Sequence, residues 1–145
     1  MKKSLRCICA ALFMLAFCTG FVIHASAVER ASLYLTRYSA TVSASNNGAI
    51  EMSIFVVANK SVSELGASYI LLEESDDGRK TWSTAREYEG QSWMTAENRS
   101  TYSRTLSYPG TIGHQYRVTA EVFAKDANGG DSRTTPTSSV VTAKR

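Results

Sequence analysis

Tyr116-Arg117-Val118-Thr119-Ala120-Glu121-Val122-Phe123-Ala124 is the stretch whose reading decides the fold. Tyr116, Val118, Ala120 and Val122 fall on one phase of a two-residue period, and Arg117, Thr119 and Glu121 fall on the other. Successive side chains of a strand point to opposite faces, so this is the pattern of a half-buried strand with its apolar face on a core. The stretch reads as the central strand of a small, all-β sandwich.

Working outward, Ala127-Asn128-Gly129-Gly130 closes the strand in a loose turn, and residues 131–143 form the last strand. Pro136 within it has no amide to donate to a ladder, which places it at an edge or a break. Upstream, Pro109-Gly110 is a turn, residues 101–108 are a strand, and residues 90–98 are a loop carrying Trp93 and Met94. Residues 67–74 and 80–89 pair as a hairpin about Asp76-Asp77-Gly78. The consecutive apolar residues in 67–74 suit a strand covered on both faces; the run is too short for periodicity alone to exclude a helix, and Tyr69 and Ile70 favour a strand. Residues 59–66 read as a polar connection plugged by Val62 and Leu65, and residues 50–58 as a strand with Ile50, Met52, Ile54 and Val56 inward. Asn46-Asn47-Gly48 is a hairpin-type turn, since Asn and Gly accept positive φ. Before it lies a broken first strand, 33–35 and 40–45. Seven short strands at roughly ten-residue spacing, with turn signals between them, fit a sandwich of immunoglobulin type.

The N-terminus is a targeting segment. Lys2, Lys3 and Arg6 precede an apolar run over residues 7–23, and Ala25-Ser26-Ala27 is a small-x-small cleavage site. This is the secretory signal pattern. It divides the chain into a signal peptide, 1–27, and a β-sandwich domain, 28–145, of secreted, extracellular destination. Cys7, Cys9 and Cys18 all lie in the signal, so the mature chain has neither disulfide nor thiolate site. Without Lys2, Lys3 and Arg6 the 16 basic residues fall to 13 and match the 13 acidic ones. The basic footprint of a nucleic-acid binder is therefore missing. No membrane association is expected once the signal is cleaved, and the oligomeric state is open.

Gly113-His114-Gln115-Tyr116-Arg117-Val118 resembles the sixth strand of fibronectin type III and immunoglobulin-like domains. In those folds a tyrosine near the strand start hydrogen-bonds back across a corner, and Tyr116 matches that position. Val118 stands where antibody domains carry cysteine, so the resemblance is to the disulfide-free branch. Residues 128–132 followed by 138–140 resemble the last fibronectin type III hairpin. One departure is that the third strand lacks a tryptophan and Trp82 lies past the turn instead, which leaves the subfamily open. With Leu65-Gly66-Ala67, Gly78 before Trp82, and Tyr116-Arg117-Val118, the layout also resembles small secreted proteins of Gram-positive, Clostridia-like bacteria that carry a domain of unknown function. That resemblance implies export and a sandwich, and no activity.

No catalytic constellation stands out. His114 is the single histidine after the signal, and no Gly-x-Ser-x-Gly elbow surrounds a serine. Ser75-Asp76-Asp77-Gly78-Arg79-Lys80-Thr81-Trp82 is close to a sialidase Asp-box, a structural turn in which Gly78 bends the chain. Asp126 to Asp131 offers oxygen ligands, but the twelfth position of a calcium loop would be Thr137, not Glu. Glu73, Glu74, Glu87 and Glu89 supply carboxylates for a hydrolase reading, although alternation with Arg86 suits solvated cross-strand pairing. Trp82, Tyr88, Trp93 and Tyr102 are the ligand-binding candidates, because sugar-binding sandwiches stack sugar faces on such rings. Tyr116, Val118 and Gly78 are structural candidates. No metal or cofactor is expected. The reading is a secreted, non-enzymatic binding or adhesion module for a cell-wall glycan or a protein partner. The alternatives are a structural or signalling protein with a dedicated partner, reached through an exposed strand edge, and a small carboxylate-dependent hydrolase.

Overall fold

The computed structural model describes residues 32–145. The targeting segment expected at 1–27, with its cysteines and cleavage site, lies outside the described residues. The strands are β1 (Leu35–Ala44), β2 (Ala49–Ser75), β3 (Ser83–Glu89), β4 (Thr95–Pro109), β5 (Gln115–Asp126), β6 (Gly129–Thr134) and β7 (Val141–Thr142). Short 3₁₀ turns occupy Asn46–Gly48 and Ser92–Met94, and there is no α-helix among the described residues. All pairings are antiparallel, and the seven strands form one sheet that curls into a half-barrel.

The sheet is organised around β2. At 27 residues it replaces the two strands and polar connection read from the sequence. One of its edges pairs first with β1 and then with β5; the other pairs first with β4 and then with β3. Its alternation holds from Ile50 to Ala58, is interrupted by exposed Asn59, Lys60 and Ser61, and resumes with buried Val62 and Leu65. The polar trio lies where the β4 register shifts between Val57 and Val62. Irregularities of this kind bend a strand without ending it. A second shift, against β5, lies between Ala67 and Tyr69. The bend lets Ile50, Met52, Ile54 and Val56 share one core with Ile70, Leu72, Tyr116, Val118, Ala120 and Val122. Val118 and Tyr116 are fully enclosed.

The alternation over 116–124 is that of β5, and its even-numbered face lies in the core. The last strand is divided. Between β6 and β7 the chain runs beside β5 through Pro136, and two side chains complete the ladder. The Ala120 amide donates to Thr135 Oγ1 at 3.0 Å, and the Val118 amide donates to Ser138 Oγ at 2.9 Å. Thr135 and Ser138 return their own amides to the Ala120 and Val118 carbonyls at 2.8 and 2.9 Å. Hydroxyl acceptors thus satisfy buried amides that a regular strand would have paired.

Candidate functional site

Tyr88 lies on β3 opposite Ile70, a core residue of β2, so its ring turns to the inner face of the sheet. Trp93 sits in the 3₁₀ turn between β3 and β4. That turn is held against β2 by Gly66, whose φ is +155° and whose missing Cβ would lie 2.1 Å from the Met94 carbonyl oxygen. A residue with a side chain there would push the turn away. Met94 is buried beneath it, and Trp93 is left half-buried above. The Tyr88 and Trp93 rings meet edge to face, centroids 5.5 Å apart at 75°, a favoured aromatic geometry.

Two arginines extend this pair into a row. The Arg86 guanidinium lies 5.4 Å from the Tyr88 centroid, and that of Arg104 lies 5.4 Å from the Trp93 centroid. Both arginines are exposed. Arg86 is two residues before Tyr88, on the same face of β3, and Arg104 stands opposite core Ile54 on β4. Cation–π contact holds each guanidinium while leaving N–H edges free for a carboxylate or phosphate.

The other two aromatic candidates do not present a ring here. Tyr102 is buried, with its hydroxyl donating to the Trp93 carbonyl at 3.2 Å. It braces the turn, and burial raises the pKa of its hydroxyl. Trp82 lies apart from the row, with the Arg117 guanidinium 4.1 Å over its ring. Arg117 also grips Glu73 with two hydrogen bonds of 2.8 and 3.0 Å. The sequence offered one signal for these arginines: Arg86 and Arg104 each lie two positions from a candidate tyrosine, the same-face spacing of a strand.

The carboxylates are dispersed. Glu73 is paired with Arg117. Glu74 accepts the Tyr116 hydroxyl at 2.9 Å and lies 3.6 Å from His114 Nδ1. Glu87 and Glu89 stand opposite Leu71 and Tyr69, alternate to the core positions of β2. Hydrogen bonding to Glu87, then burial, raises the Tyr69 pKa. The Asp126–Asp131 turn spends its oxygens internally. Asp126 takes Lys60 Nζ at 2.8 Å, the Tyr34 hydroxyl at 3.0 Å and the Asn128 amide at 2.8 Å. Asp131 Oδ2 takes the Ser32 hydroxyl at 2.7 Å and the Tyr34 amide at 2.9 Å. These donors lower both carboxyl pKa values, Lys60 foremost for Asp126 and Ser32 for Asp131. They tie Ser32 and Tyr34, just before β1, and Lys60 of β2 to the β5–β6 hairpin. Among the described residues no group of three or more His, Cys, Asp or Glu is placed to hold a metal ion.

The Ser75–Trp82 segment forms a turn centred on Asp77. Its carboxylate receives the Thr81 hydroxyl at 2.6 Å, the Thr81 and Lys80 amides at 3.0 and 2.9 Å, and the Ser75 hydroxyl at 2.9 Å. Gly78, at φ +76°, makes the bend, and Arg79 follows at +77°.

No protein-family model matches the chain, and no curated protein matches it.

Proposed function

We propose that this is an exported, non-enzymatic binding module whose Arg86–Tyr88–Trp93–Arg104 row docks an anionic polymer of the cell surface. The observation that carries the reading is the row itself, two touching aromatic rings flanked by two exposed guanidiniums. Guanidinium forks match carboxylates and phosphates bidentately, and the half-buried rings supply apolar contact to a sugar or polyol backbone. A neutral sugar stacking flat on Tyr88 or Trp93 has less support, because each ring already carries an arginine.

Export rests on the n-region, apolar run and small-x-small motif of residues 1–27. An immunoglobulin or fibronectin type III kinship gains support from Tyr116. Its hydroxyl accepts the amide of Thr111, five residues upstream, at 2.8 Å, as a tyrosine corner does. The hydrolase alternative gains none, since Glu73 and Glu74 are each committed to a neighbour.

The test is retention of residues 28–145 on isolated cell wall, native or stripped of anionic polymers, over a salt series. We expect retention on native wall only, weakening with salt, and at least about tenfold loss in Arg86→Ala/Arg104→Ala, given that truncating one hot-spot residue costs 2 kcal/mol or more. Equal retention on stripped wall, or an unaffected double variant, overturns the reading. Binding lost with Trp93→Ala but not with the arginine pair would return the site to neutral glycans.

A further inference from the structure

An unpaired strand edge exposes a row of amides and carbonyls, and folded proteins blunt such edges with inward charges, prolines or bulges. Each edge strand of this sheet except one carries an inward charge or a proline. β3 has Arg86 on its inner face and a register break between Leu72 and Glu73 of its partner. β4 has exposed Arg104 on its inner face, a shifted register and Pro109 at its end. The β6–β7 edge is broken around Pro136. Among the described edges, β1 alone has neither an inward charge nor a proline, and its one register shift lies at its start, between Leu35 and Arg37. It pairs only with β2, and from Arg37 to Ala44 its register is continuous. Its inner-face residues are Tyr38, Ala40, Val42 and Ala44, and its single charge is Arg37.

The alternation of hydrogen bonds shows which groups are available. The Ser45 amide donates to the Ala49 carbonyl at 2.8 Å, which places this pair in the hydrogen-bonded set of the β1–β2 ladder. Bonded and non-bonded pairs alternate in antiparallel sheets. Ser39, Thr41 and Ser43 therefore turn their backbone groups toward β2, and Tyr38, Ala40 and Val42 turn theirs outward.

We propose that β1 is a homodimerisation edge, on which β1 of a second copy adds antiparallel about a two-fold axis at Ala40. The strand is complementary to itself in this register. Ala40 meets Ala40 in a hydrogen-bonded pair, and Tyr38 of each copy faces Val42 of the other, an aromatic–β-branched pair of the stabilising kind. On the outer face Ser39 lies opposite Thr41, and Arg37 opposite Ser43, so no like charges meet. The outward amides of Tyr38, Ala40 and Val42 are those that this register consumes. Each half-exposed Tyr38 and Val42 gains a neighbour, and the interface is isologous and closed. The inference is independent of the ligand-binding row, which belongs to the strands on the other edge of β2.

The experiment is sedimentation equilibrium on residues 28–145 across micromolar to millimolar concentration, without ligand, with circular dichroism to verify the fold. A concentration-dependent dimer is expected. Ser39→Lys/Thr41→Lys sets lysine against lysine twice across the axis and should weaken the dimer at least about tenfold. Ser39→Glu/Thr41→Lys sets opposite charges together and should restore it. Both sites lie on the outer face, so folding is preserved. A monomer at every concentration overturns the proposal, as does a dimer indifferent to the lysine pair or not rescued by the charge swap. Wall retention of the same variants separates this edge from the docking row.

Discussion

Arg117 on β5 and Glu73 on β2 face each other across paired strands and are joined by a two-pronged hydrogen bond of 2.8 and 3.0 Å. The same guanidinium lies 4.1 Å over Trp82. One of the chain's two tryptophans is thus consumed by the sheet, while Trp93 remains in the row with Tyr88, Arg86 and Arg104. We expect Trp82→Ala to leave wall retention unchanged and to lower stability by about 0.5–2 kcal/mol, the range of a cation–π contact from exposed to desolvated. A retention assay beside urea unfolding checks both. Loss of retention with folding intact would move the site to Trp82.

Tyr116 anchors the corner before β5. Its buried hydroxyl accepts the Thr111 amide at 2.8 Å and donates to Glu74 at 2.9 Å. Burial foremost raises its pKa, so it stays protonated and able to donate. Tyr116→Phe keeps the ring and strands both partners. The expected loss is about 1–3 kcal/mol in urea unfolding, the net contribution of two hydrogen bonds at about 0.5–1.5 kcal/mol each. A loss below about 0.5 kcal/mol, the scale of a neutral surface change, would show the corner to be unimportant.

Gly66 sets how closely the turn carrying Trp93 approaches β2. At φ +155° an added Cβ would lie 2.1 Å from the Met94 carbonyl oxygen and 2.8 Å from Thr95 Cα, both backbone atoms. Gly66→Ala should cost about 1–3 kcal/mol through overpacking. It should also alter tryptophan fluorescence and weaken retention, because the Tyr88–Trp93 contact depends on that approach. Unchanged stability would mean that the turn shifts freely.

Asp77 links stability to acid. Hydrogen bonds from the Thr81 hydroxyl and amide foremost, and from Ser75 and Lys80, lower its pKa from 3.8 to about 2. A carboxyl more acidic in the folded than in the unfolded state contributes stability above the unfolded value and loses it as pH falls through the folded one. Stability should therefore decline between about pH 4 and pH 2, and Asp77→Asn should flatten that part of the curve. Thermal melts of both proteins across this range measure it. Parallel curves would assign the acid sensitivity to other carboxylates.

The sequence by itself determined the strand class, the inward faces and the turns. Period-two alternation over Tyr116–Val122 and Ile50–Val56 is a local property, and so is the turn chemistry of Asn46-Asn47-Gly48 and Asp76-Asp77-Gly78. What bends and what meets was settled by tertiary structure. Asn59, Lys60 and Ser61 look like a connection because polarity is the local sign of a loop, yet paired strands on either side carry β2 through them. Pro136 announced a break, but only packing against β5 shows that the Thr135 and Ser138 hydroxyls complete the ladder. The site divided in the same way. Aromatic residues were visible as candidates, but which would be braced, covered or left on a surface depended on register between distant strands. Tyr116 reaches Glu74 from 42 positions away, and Arg117 reaches Glu73 from 44. Alternation tells a residue which face it occupies; only the pairing of strands tells it which neighbour it finds there.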